Sequence, residues 1–98
     1  MTAKTIAGTV DADGNIISGA GFNINKVSKG HYVIIFEPPF ARVGGGSASQ
    51  VFRGDGDTRD NVVFVNLDNA SCEAKTGDSG GKAQDRKFTF IFFGEFKS

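Results

Sequence analysis

Nothing in this chain restricts its fold more than the stretch Asp85–Phe96, which reads Asp-Arg-Lys-Phe-Thr-Phe-Ile-Phe-Phe-Gly-Glu-Phe. Side chains alternate across an extended strand, so Phe88, Phe90 and Phe92 share one face while Thr89, Ile91 and Phe93 share the other. Both faces are apolar toward the C-terminal end. Water can therefore cover little of either, and such a strand belongs deep in a sheet or between a sheet and another subunit.

The same alternation recurs upstream. Lys4–Val10 and Asn15–Ser18 read as short strands on either side of Asp11-Ala-Asp-Gly-Asn15, where Asp-Gly suits a tight hairpin. Gly21–Val27 sets Phe22, Ile24 and the stem of Lys26 against Asn23, Asn25 and Val27. Gly30–Glu37 sets Tyr32, Ile34 and Phe36 against Val33 and Ile35. Pro38 and Pro39 then stop pairing, because proline has no N–H for a ladder, and Phe40 is expected to fold back onto the core. Gly44–Gly46 reads as a flexible run before a strand over Ser47–Arg53. Asn61–Leu67 and Cys72–Thr76 are further strands, separated by a turn at Asp68–Ser71. Two polar loops, Arg53–Asp60 and Gly77–Ala83, complete the series.

About eight short strands at intervals of roughly 8–14 residues, with no window of helical periodicity, predict an all-β antiparallel sandwich of jelly-roll type. The 98 residues make a single domain, 1–98. Fourteen glycines and ten phenylalanines, with no tryptophan, suit tight turns around an aromatic core. Strands that are apolar on both faces leave a surplus greasy surface, which an identical neighbour can cover. A homo-oligomer is the expectation; barrel-like closure within one chain is the alternative.

Lysine plus arginine equals aspartate plus glutamate at eleven each, so no field of one sign invites nucleic acid or an anionic membrane. No run approaches the roughly 20 apolar residues of a membrane helix, and the N-terminal residues lack the apolar core of a signal peptide. The expected protein is soluble, and any export would go by another route such as assembly into a particle. The lone Cys72 allows no internal disulfide and lacks a CxxC partner, so a buried, inert thiol is its default reading.

Few constellations point to chemistry. Asp11, Asp13 and Asn15 have the spacing of a calcium loop, but Ile16 and Phe22 occupy the places where an EF-hand needs glycine and glutamate, so the segment reads as a hairpin turn. Asp55, Asp57 and Asp60 place three carboxylates in six residues and are candidates for calcium, with Arg53 and Arg59 among them to neutralise the charge. No resident cofactor is implied. A polar loop on a rigid sandwich is a usual place for binding. The candidate ligand contacts are therefore Arg53, Asp55, Asp57, Arg59 and Asp60, joined by Asp78 and Lys82 if the two loops meet. Gly77-Asp-Ser-Gly-Gly81 repeats the string around the nucleophilic serine of chymotrypsin-like proteases. The chain is too short for two barrels, and His31, the only histidine, has no carboxylate partner in its local sequence. Ser79 is read as a turn residue, and a small hydrolase ranks last among the readings.

Several segments resemble small bacterial and phage β-domains of the tail-fibre-tip kind, and more distantly C1q/TNF-like jelly rolls and H-type lectins. They are Gly8-Thr-Val10, Gly14-Asn-Ile-Ile, Gly21-Phe22-Asn-Ile24, Gly30-His-Tyr32-Val-Ile34-Ile-Phe36 with Pro39-Phe40, Asp60-Asn-Val62 and Phe88-Thr-Phe90-Ile-Phe-Phe-Gly94. The resemblance implies a homotrimer with its C-terminal strands near the three-fold axis, recognising a cell-surface glycan or protein through loops, with no catalytic residues. A trimerisation or virion-decoration domain without a small ligand is the alternative. The chain departs from the lectins in lacking tryptophan for sugar stacking, and Tyr32, its only tyrosine, reads as core.

Overall fold

The computed structural model describes residues 1–97. These residues form eight strands and no helix: β1 (Thr2–Val10), β2 (Ile16–Gly19), β3 (Phe22–Ser28), β4 (His31–Phe36), β5 (Arg42–Gln50), β6 (Asn61–Val65), β7 (Ser71–Gly77) and β8 (Phe88–Phe96). They build two four-stranded antiparallel sheets, ordered β2-β1-β8-β5 and β3-β4-β7-β6. The expected antiparallel β-sandwich is the observed architecture. Hairpins β1–β2, β3–β4 and β6–β7 each stay within one sheet, and the other four connections cross between sheets.

β8 lies inside the first sheet, between β1 and β5. Phe88, Phe90 and Phe92 point into the sandwich and are almost fully buried. Each meets a ring from the opposite sheet. Phe88 packs against Tyr32 at 5.0 Å between centroids, Phe90 against Phe22 at 4.9 Å, and Phe92 against Phe36 and Phe64, both at 4.9 Å. Burial of one such ring contributes about 1.5–3 kcal/mol, and favourable edge-to-face geometry adds to it. Phe40 closes one end as expected, 5.0 Å from both Phe36 and Phe96.

One segment departs from the expectation. Gly44–Gly46 lies within β5, which ends at Gln50, and Val51–Arg53 lies outside the strand. The glycines here make room for rings. A Cβ on Gly46 would fall on the inward Phe92 ring, and one on Gly44 would press to 3.3 Å from the outward Phe93 ring. Glycine permits the close approach, and the rings cover backbone that lacks its own side chains.

The outer faces of the two central strands differ. On β4, Val33 and Ile35 are half-buried, whereas on β8 Ile91 and Phe93 remain 45% and 55% exposed. Of these two strands, β8 therefore carries the surplus apolar surface. Tyr32 belongs to the core, and its hydroxyl donates to the Ala12 carbonyl at 2.7 Å. Gln50 ties the β5 edge to the second sheet. Its Nε2 donates to the carbonyls of Asn61 and Gly77, at 2.6 and 2.7 Å. No helix among the described residues is long and apolar enough to cross a membrane.

A candidate binding groove at one end of the second sheet

Register places the site. His31 on β4 pairs with Lys75 on β7, and Lys75 pairs with Val63 on β6. Tyr32, Ala74 and Phe64 alternate with them and point inward, so His31, Lys75 and Val63 form a row on the outer face. At this end of the sheet the connections rise above that row. The β3–β4 turn supplies Ser28, Lys29 and Gly30, the loop after β7 supplies Asp78, Gly81 and Ala83, and the approach to β6 supplies Arg59 and Asn61. Together they enclose a groove of about 330 Å³.

Its rim is held rigidly. Gly30 adopts a φ of 65°, and its N–H donates to Asp85 Oδ1 at 2.7 Å while its carbonyl accepts from the Thr76 N–H at 2.8 Å. That amide bond, then Lys26 at 3.1 Å, hold the Asp85 carboxyl below its ordinary range. Across the groove, the Gly77–Ala83 loop closes on an isolated bridge between those two residues. Asp78 Oδ1 accepts from the N–H groups of Gly80 and Lys82, both at 2.9 Å, and these bonds depress its pKa, that to Lys82 most strongly.

The candidate residues of the Arg53–Asp60 loop separate into distinct roles. Arg59 reaches the groove, held in a fork by Asp57 with Nε–Oδ1 at 3.1 Å and Nη2–Oδ2 at 3.0 Å. Asp60 is an anchor: Oδ2 accepts from the Asp57 N–H at 2.9 Å, and Oδ1 lies 3.7 Å from Arg86. Arg86 also covers the Phe52 ring at 4.8 Å, which fastens the loop to the body. Arg53 and Asp55 are exposed and lie outside the groove lining. Arg59 and Asp78, one from each loop, both line the groove; Lys82 contributes its backbone to the loop and does not line the groove. Among the described residues, no three carboxylate, histidine or cysteine groups gather as a metal cage requires. Asp57 and Asp60 have oxygens engaged by Arg59, Arg86 and backbone.

Among the charged and titratable residues of the groove, Lys29 and Lys75 carry no motif in the sequence, and His31 stands there without a local carboxylate. His31 does have a carboxylate partner, since its Nε2 lies 2.8 Å from Glu73 Oε1, and Asn66 donates to Glu73 Oε2 at 2.8 Å. Those two partners, Asn66 first, lower the Glu73 pKa. Residue 73 is 42 positions from residue 31, so only knowledge of strand order could have paired them. Ser79 is exposed and does not line the groove that His31 lines, although its neighbour Asp78 does. Asp11 binds the amides of Asp13 and Asn15, both at 2.9 Å, as a hairpin turn requires. Cys72 is fully buried, and burial pushes its thiol up to about 11. No family model, curated protein or solved structure matches the chain.

Proposed function

We propose that the protein is a non-enzymatic recognition module that binds a cell-surface glycan or protein in the groove above Lys75. The observation that carries this reading is the construction of the groove: three separate connections converge on one concave surface, and hydrogen bonds to Asp78, Asp85 and Asp57 fix its walls. A site prepared in this way loses little conformational freedom on binding. Multivalent display suits the same reading. The outward Ile91 and Phe93 of β8 lie among the small side chains of Thr5, Ala7 and Ser47, a smooth surface that a sister subunit in a homotrimer would cover. Tail-fibre-tip and C1q/TNF-like domains assemble in this manner, with C-terminal strands inward, and here the C-terminal strand β8 carries the exposed apolar face. Attachment to a virion or similar particle would follow from the same likeness.

A glycan array probed with the native chain and with Arg59→Ala and Asp57→Ala variants tests the reading. The expected result is a set of signals with the native chain that both variants lose, since Asp57 orients Arg59. Signals unaffected by either substitution would remove the groove from consideration. The exposed β8 face favours one further reading, a trimerisation or decoration domain without a small ligand. Stable trimers that stay silent on arrays of glycans and host proteins would support it.

A further inference from the structure

The charges around the groove are unbalanced, although the whole chain has a formal net charge of zero. Lys29, Lys75 and Arg59 line it, against Asp78 on the lining and Asp57 paired with Arg59 behind it. Lys29 and Lys75 have no ion pair among the described residues. Asp78 accepts two backbone N–H groups at Oδ1 and keeps Oδ2, so it sets one negative charge against these cations. Arg59 uses two N–H groups on Asp57 and keeps three of the five that a guanidinium has. Glu73 lies one outward position along β7 from Lys75, but His31 and Asn66 occupy its two oxygens. Val63, 54% exposed, adds an apolar patch to the same floor. Free cationic donors beside one apolar surface match a sugar ring that bears an acidic group. The volume of about 330 Å³ suits one ring with its substituents rather than a length of polymer.

We propose that the groove selects acidic saccharides, seating a carboxylate or sulfate among Lys29, Lys75 and Arg59 while the ring rests on Val63. This inference rests on the recognition reading above and narrows its ligand class. Calorimetric titration of the full chain with sialyllactose, a sulfated uronate disaccharide and neutral lactose tests it. At least one acidic probe should bind about tenfold or more tighter than lactose, because a charge-assisted contact is worth roughly that factor. Comparison of the two acidic probes tells carboxylate from sulfate. Binding should weaken as salt rises. Lys75→Gln should lose the preference for the acidic probe with an unchanged melting temperature, since that side chain is exposed, while Lys4→Gln, on the other sheet, should retain it. Equal binding of lactose and the acidic probes would overturn the inference and leave the recognition reading standing. Binding of none of the three at millimolar concentration would also overturn it, and the array then decides the broader reading alone.

Discussion

Phe90 concentrates the packing argument in one side chain. It is 3% exposed, stands edge-on to Phe22 at 4.9 Å, and lies 5.5 Å from Phe92. Phe90→Ala should destabilise the fold by about 3–5 kcal/mol, as read from the shift in a denaturation midpoint; a change under about 1 kcal/mol would mean that the ring does not hold the sheets together. Asp85 makes the corresponding electrostatic argument. Its folded-state pKa lies below the ordinary 3.8 because the Gly30 amide and Lys26 favour the carboxylate. A depressed carboxylate stabilises above its unfolded pKa, and that contribution is lost as the pH falls through the folded value. Stability should therefore decline on acidification below about pH 4. Asp85→Asn should flatten that decline, a comparison that parallel urea titrations at pH 7 and pH 3 would make. An identical acid slope in the variant would contradict the assignment.

At the scale of elements, legibility followed alternation. β4 and β8 could be read with the correct inward faces because bulky apolar residues recur at every second position, and that period has no competing explanation in a chain without helical spacing. Only the second half of β5, from Ser47, could be read, because Gly44–Gly46 has no side chains to alternate. Its strand character comes from the neighbour, whose Phe92 and Phe93 rings occupy the space a side chain would need. Gly46→Ala is expected to cost about 1–3 kcal/mol through crowding against Phe92, whereas Gly80→Ala, whose methyl would meet nothing closer than Asp78 Oδ1 at 3.4 Å, gains no clash; thermal melts of the two variants separate these outcomes. The site divides along the same line. Arg59 and Asp78 could be picked out as charged residues in adjacent polar loops. Lys29, His31 and Lys75 could not, since only the pairing of β4 with β7 brings 31 beside 75.

For the whole molecule, the two sheets divide the surface between them. The second sheet presents a groove with cationic side chains over an apolar floor, framed by anchored loops. The first presents Ile91 and Phe93 to solvent beside small residues. Recognition on one face and assembly through the other would not interfere. Phe93→Asp tests the assembly half: a sedimentation mass that falls to the monomer is expected, and an unchanged oligomer would show that the phenyl ring only shields the glycines of β5. The division itself is tested most directly by mapping amide chemical shifts on the labelled chain during titration with an acidic saccharide. Perturbations are expected at Gly30, His31, Lys75, Gly77 and Gly81, with the amides of Ile91 and Phe93 unmoved. Perturbations centred on β8, with those groove amides silent, would contradict it.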